Sequence, residues 1–467
     1  MMEFILALNT KLNSIVWGPP MLIILIGVGV FLTIRTRFIQ FSKFGLMMRE
    51  TAGKIFRFRK GETKAEGDVS PFQALTVAMG GTVGVGNIAG VATAIALGGP
   101  GAIFWMWISG LVGMATKFGE VVLGVHYRVR EKDGPMVGGP MVYILRGMGN
   151  SWRWLASLFA IFGALAAFGI GNMVQANACA EGMLHFGVPT WVTGLVLVVA
   201  VGLVTIGGIK RIAQVAMFCV PFMCSMYIIG ALIIIGMYIT NIPEALKLIF
   251  SHAFTPTAAT GGFAGAGVMF AIRYGIARGV FSNEAGLGSA PIAHSTAMTD
   301  HPARQGLWGI FEVFVDTIII CTLTALVIIL TEVWTSGKTG ATLTMAGFEA
   351  GFGSTIGFSL VVLSMVLTAY DTNLAWCFYG ETCSAHLFGH GRVIRMTYRT
   401  LWLPFTMIGA LGGLEAIWSI SDTLNGLMAV PNLIALFALG GVIVKLTREF
   451  LTQQNNPNSI SSHKVGI

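Results

Sequence analysis

Two places in this sequence hold residues whose types and spacing could handle ions. The first is Ala78-Met-Gly-Gly-Thr-Val-Gly-Val-Gly-Asn-Ile-Ala-Gly90, in the middle of an apolar segment long enough to cross a bilayer. Gly80, Gly81, Gly84 and Gly86 each cost about 1 kcal/mol in a helix relative to Ala, so an interrupted helix is expected there. In hydrocarbon, broken backbone persists only where it faces protein or a polar cavity. A break bares N–H groups on one half-helix and C=O groups on the other. The first suit a carboxylate and the second a small cation. The amides of Val85 and Gly86, at the positive end of a half-helix, are the expected carboxylate site. The same glycines, including the Gly86-x-x-x-Gly90 pair, would also let two helices pack closely.

The second place is Asp371, in the middle of another apolar span. A carboxylate centred in an apolar span costs several kcal/mol unless paired. Asp371 is therefore the sharpest single candidate, the alternative being a buried hydrogen-bond anchor. Asn172 and Gln175 lie three apart and can face a cavity or bond between helices. Thr82 and Asn87 are candidates for a second ion or for orienting a solute. Phe263, Met269 and Trp376 are candidate walls of a pocket for a small side chain.

These residues need a membrane frame, and composition supplies it. Of the 467 residues, 55% are hydrophobic and only 11% charged, and the mean hydropathy is +0.76. That is an all-α polytopic membrane protein. The net charge of +8 does not point to nucleic acid. It falls in connectors, around Arg35–Lys60, Arg128–Lys132 and Arg392–Arg399, and such bias marks the cytoplasmic side. The six cysteines lie in or beside apolar spans without metal-ligand spacing and read as small core residues. Glu3, Lys11 and Pro19-Pro20 without a small-residue cleavage site point to a retained first span.

Eleven transmembrane helices are expected, at 17–36, 70–97, 101–127, 154–184, 188–207, 212–239, 261–281, 306–334, 357–379, 396–413 and 424–446. The N-terminus then lies outside and the C-terminus in the cytoplasm. A basic amphipathic helix follows the first span around Phe38–Phe58, a short interfacial helix falls near Met141–Leu145, and another amphipathic helix at Pro243–Phe250. Residues 282–304 read as a cytoplasmic loop. Set the first span aside and ten remain, five plus five. Each half opens on a small-residue cluster: Gly80–Gly86 in one, Thr260-Gly-Gly-Phe-Ala-Gly-Ala-Gly267 in the other. Five is odd, so the second half must be inverted, and paired interruptions of this kind point to a transporter site. The units are 1–64 (extra helix and linker), 65–241 and 242–446 (the two repeats), and 447–467 (a polar, disordered cytoplasmic tail).

Val83-Gly-Val-Gly-Asn87 resembles the first-helix signature of neurotransmitter–sodium symporters. Several longer blocks resemble the alanine/glycine–cation symporter family. They are Pro71-Phe-Gln-Ala-Leu75 with Gly84-Val-Gly-Asn-Ile-Ala-Gly90, Gly169-Ile-Gly-Asn-Met-Val-Gln-Ala-Asn177, Phe281-Ser-Asn-Glu-Ala-Gly-Leu-Gly-Ser-Ala-Pro291, and Tyr370-Asp-Thr-Asn373 with Ala375-Trp-Cys377. The match runs from about Ser70 to Pro431. It implies the inverted-repeat sodium-symporter fold and sodium-driven uptake of alanine or glycine. It also implies a sodium site made by carbonyls of Gly80, Val83 and Thr368 with side-chain oxygens of Asp371 and Thr372. The residues alone reach an ion-coupled transporter of a small polar solute. The substrate's ammonium would then meet carbonyls in Gly261–Gly267 or the side chains of Asn172, Gln175 or Thr368.

Other classes fit less well. No Gly-x4-Gly-Lys-Ser/Thr loop is present, so transport would be secondary. The eight histidines form no His-Glu-x-x-His helix, so this is not read as a membrane enzyme. A channel would repeat its filter around an oligomeric axis. The closest rival is the same fold driven by protons, with Asp371 titrating. Arg273, Arg278 and Glu284 are expected to form an inner gate of ion pairs, and Glu120, Glu312 and Asp316 to lie near inner ends. Trp105, Trp107, Trp152 and Trp154 read as interfacial belts. Short loops and no organellar address indicate a prokaryotic plasma membrane; no obligatory protein partner is expected.

Overall fold

The computed structural model describes residues 2–55, 65–131, 134–255, 266–412 and 415–455. Apart from one two-stranded hairpin pairing Val129–Arg130 with Met136–Val137, its regular structure is helical. Seven described helices are long and apolar enough to cross a membrane, or eight counting one bent pair. The pair is Pro71–Thr82 with Gly86–Gly98, and its halves diverge by 49°. Described helices also occupy the remaining expected spans: Thr190–Thr205, Ala266–Asn283 and Arg392–Leu411. The Ser354–Phe388 helix is central, packing against Pro71–Thr82, Arg153–Ala166, Val174–Leu184 and Gly208–Met237.

The bent helix starts where its sequence says it should. Ser70 Oγ accepts from the Gln73 amide (3.2 Å) and Gln73 Oε1 accepts from the Ser70 amide (3.0 Å), with Pro71 at the first helical position. It stops at Val83, whose backbone is extended (φ −75°, ψ 96°). A π turn, Gly86–Gly90, then leads into Val91–Gly98. The glycines both allow the break and admit neighbours. A Cβ on Gly84 would sit 3.1 Å from Thr372 Oγ1, and one on Gly81 3.1 Å from the Tyr379 hydroxyl.

Several connectors differ from expectation. The linker after the first span is not one amphipathic helix but two short ones, Ile39–Ser42 and Phe44–Glu50, and a 3-10 turn. Met141, Tyr143 and Ile144 are fully buried, so their short helix is no interfacial element. Tyr143 donates to Asn432 Oδ1, which draws it into the bundle. Residues 282–296 are not a solvated loop either. Ser282, Leu287, His294 and Ser295 are completely buried around the short helix Ala290–His294. The last span is two helices, Glu415–Ala438 and Gly440–Asn455. The second carries the chain past Thr447 because Ile443 and Phe450 are buried. The amphipathic helix expected at 243–250 is present as Ile242–Phe254. Trp105 and Trp107 donate to the Ala253 carbonyl and Thr322 Oγ1, tying helices together.

Candidate functional site

The break is held open by one side chain. The Gly84 amide, which in a continuous helix would reach the Gly80 carbonyl, donates instead to Asn87 Oδ1 (2.9 Å). The released Gly80 carbonyl accepts from Thr372 Oγ1 at 2.8 Å. Asp371 lies beside the same glycine: its Cβ is 3.4 Å from where a Gly80 Cβ would be. Both Asp371 carboxylate oxygens are buried and have no hydrogen-bond partner among the described residues. Val83, Gly84 and Thr368 line one narrow cavity of about 10 Å³ that also touches Tyr227 and Ser364. Gly80, Val83, Thr368, Asp371 and Thr372, distant in sequence, thus meet at the break. A buried acid with two unsatisfied oxygens next to a carbonyl released from its helix is chemically suited to a small hard cation.

The expected solute ligands fare differently. Val85 precedes the π turn with no capping side chain, and Gly86 packs closely on the next element, where an added Cβ would lie 3.2 Å from the Ser282 Cα. Thr82 bonds back to its own helix, its hydroxyl donating to Ala78 O at 3.2 Å. Asn172 is consumed by an interhelical network: its Nδ2 donates to Trp402 O (2.8 Å), and its Oδ1 accepts from Thr406 (2.7 Å) and Asn373 (3.0 Å). Gln175 Nε2 donates to Ile170 O (3.0 Å), while its Oε1 is buried and unpartnered. Trp376 is buried against Gly171, where an added Cβ would lie 2.1 Å from the Trp376 Cβ. Met269 is 57% exposed and does not wall the site. Phe263 and the cluster from Gly261 to Gly265 lie outside the described residues, and Gly267 falls within the Ala266–Asn283 helix.

Other acids supply the surrounding frame. Asp316 Oδ1 accepts from Asn87 Nδ2 (2.7 Å), and Oδ2 from Ser282 (3.0 Å) and Thr317 (2.8 Å). Glu120 Oε1 accepts from the Gly286 and Gly288 amides (3.0 and 3.1 Å) and from Asn432 (2.5 Å). Glu312 lies 3.3 Å from Lys117 Nζ and bonds His294 Nε2 (3.0 Å). All three carboxylates are fully buried, so none is at a watered inner end. Glu284 bonds Ser289 and makes no ion pair with Arg273 or Arg278 among the described residues. That expected gate is not present. Ion pairs among the described residues include Glu131 with Arg395 (2.6 Å), and Glu381 with Arg395 (2.7 Å) and Arg399 (2.5 Å).

A family model for sodium:alanine symporters matches residues 2–464. The chain belongs to the sodium:alanine symporter family. It is 45% identical to the sodium/alanine symporter AgcS of Methanococcus maripaludis, over 96% of this chain and 98% of that one. It is 47% identical to an uncharacterized transporter of Haemophilus influenzae, over 94% and 95%. The fold is also that of MhsT, a structure solved with L-phenylalanine: the TM-score is 0.58 at 11% identity, covering 83% of this chain and 99% of that one. The symporter is therefore a multi-pass membrane transporter of the inverted-repeat sodium-symporter fold, not an enzyme, and couples a cation to an amino acid.

Sequence reading of this family member missed two groups, Tyr379 and Lys117, and the partner of a third. Tyr379, whose buried hydroxyl has no partner, borders Gly81. Lys117 went unread, although a lysine within an apolar span is as anomalous as Asp371. Asn87 was a candidate, but its link to Asp316 spans 229 positions and leaves no local pattern.

Proposed function

We propose that this symporter couples sodium entry to uptake of alanine or glycine by alternating access. The observation that carries this reading is Asp371: a buried carboxylate with neither oxygen satisfied, beside a carbonyl released by a broken helix. Gly80, Val83, Thr368, Asp371 and Thr372 would supply oxygens to sodium, which takes several oxygen ligands like the harder divalent ions. The amino-acid carboxylate would meet the amides at Val85 and Gly86, and Gln175 Oε1 is an acceptor open to its ammonium. The 45% identity to a sodium/alanine symporter supports a substrate with a very small side chain. The repeats 65–241 and 242–446, with the N-terminus outside and the C-terminus cytoplasmic, complete the proposal. The membrane potential contributes about 2.3 kcal/mol per charge per 100 mV.

The test is uptake of labelled alanine and glycine into proteoliposomes, with and without an inward sodium gradient. Sodium-dependent, saturable uptake that is lost in Asp371→Asn supports the proposal. The same unpartnered carboxyl could instead carry a proton. Uptake that persists without sodium and follows an imposed pH gradient would decide for that reading.

A further inference from the structure

Away from the break, the first span carries an apolar strip on its outer wall. Ile23, Ile24 and Ile34 are 70%, 50% and 59% exposed. The Glu415–Ala438 helix continues this strip with Phe437, 62% exposed, whose ring lies 4.8 Å from that of Phe31. Inside a membrane such faces meet acyl chains.

The strip ends at an open groove of about 530 Å³ lined by Ile34, Arg35, Arg37, Lys445, Arg448 and Glu449. Four cations face one acid, and among the described residues that acid forms an ion pair only with Lys445, at 4.0 Å. Among the described residues, the guanidinium groups of Arg35, Arg37 and Arg448 make no ion pair and donate no hydrogen bond. Arg35 lies over the Phe31 ring at 5.8 Å, so it stands where strip and groove meet.

The backbone is also built to hold a cation there. Arg37 and Phe38 both adopt left-handed conformations (φ 57° and 55°), which non-glycine residues rarely take. The turn is fixed by the Phe38 amide donating to Thr33 O (2.7 Å) and the Arg37 amide to Ile34 O (3.1 Å). Buried Thr36 adds a bond to Leu32 O (2.7 Å). The chain thereby stops its helix and places Arg37 beside Arg35 rather than a further turn along the span.

We propose that this groove binds the phosphodiester headgroup of an anionic phospholipid, whose acyl chains lie along Phe31, Ile34 and Phe437. Guanidinium pairs with phosphate by parallel charge-assisted hydrogen bonds, and basic pockets between helix ends at a membrane face suit acidic headgroups. A zwitterionic lipid brings an ammonium into a groove that already has an excess of cations. Free phosphate has the charge but leaves the apolar strip unused. The inference depends on the chain spanning a membrane, not on which ion drives transport.

The full-length protein in nanodiscs of phosphatidylcholine, with or without phosphatidylglycerol, tests it. Native mass spectrometry of the released protein counts retained phosphatidylglycerol. The wild type is expected to retain it, and R37Q with R448Q to weaken retention by about fivefold per arginine removed. The distant substitution Lys210→Gln should have no effect, and R37K with R448K should keep most of the retention while controlling for folding. Retention by the glutamine double variant equal to wild type overturns the site, as does an equal loss in Lys210→Gln. Loss in the lysine pair as complete as in the glutamine pair also overturns it. Full displacement of the lipid by excess inorganic phosphate would show a small-anion site and overturn the lipid assignment; partial displacement or none supports it.

Discussion

Asp371 and Asp316 are both fully enclosed in helices of this symporter, and their surroundings are opposites. Asp316 accepts from Asn87, Ser282 and Thr317, so both its oxygens are satisfied within the protein. Asp371 has neither oxygen satisfied, though Gly80 and Thr372 bond each other next to it. A satisfied buried acid is a fastener, because removing it strands its donors. An unsatisfied one is a site waiting for a charge from outside, because a desolvated lone pair is unfavourable until something fills it. Glu312 is a third case, met by Lys117 at 3.3 Å and by His294.

Substitutions can break or sharpen that contrast. The largest effect is expected from Lys117→Met, which leaves Glu312 without its cation; losing one partner of a buried pair costs about 3–5 kcal/mol. A melting temperature lowered by many degrees, with or without sodium, is the expected reading. Next is Asp371→Asn. It should lower sodium-driven uptake by about a hundredfold, as expected for a charged contact worth up to about 3 kcal/mol. The sodium-free protein should stay as stable as wild type, since no internal bond is lost. Asp316→Asn reverses the pattern: at least one of its three donors loses its acceptor, destabilising the protein by about 1–3 kcal/mol. That cost should appear in thermal melts even without sodium. The smallest effect is expected from Thr372→Val, which removes one hydroxyl from the Gly80 carbonyl; about 1 kcal/mol should raise the half-saturating sodium concentration severalfold. If Asp316→Asn and Asp371→Asn cannot be told apart by melts in sodium-free buffer, the distinction between fastener and site is lost.

How much of this was legible depends on distance along the chain. The break announces itself because glycines sit where a helix should be, and Asp371 because a carboxylate sits where lipid-soluble residues should be. Both violate a local rule, so both were readable. Which neighbour each polar group meets was not. Asn87 finds Asp316 and Glu120 finds the Gly286 amide only once the helices are packed. Face arithmetic also failed where the helices carry π turns, at Gly86–Gly90, Ala167–Met173 and Phe314–Cys321. An extra residue in a turn rotates the later part of a helix relative to its start. Asn172 lies inside one such turn, and its side chain bonds toward Trp402 and Asn373. Gln175, just beyond it, bonds back to Ile170, so the two do not act as the matched pair their spacing suggested. The 282–296 segment misled for another reason: glycine and serine look like a loop, but Gly286 and Gly288 hold positive φ (94° and 83°) so that their amides can turn toward Glu120.

The most direct test of the central claim measures the thermal stability of the purified symporter as sodium replaces choline at constant ionic strength. A ligand that binds only the folded protein raises its stability as its concentration exceeds the dissociation constant. The account predicts a sodium-dependent rise in melting temperature for the wild type and for Lys210→Gln, and none for Asp371→Asn. An undiminished sodium-dependent rise in Asp371→Asn would contradict it.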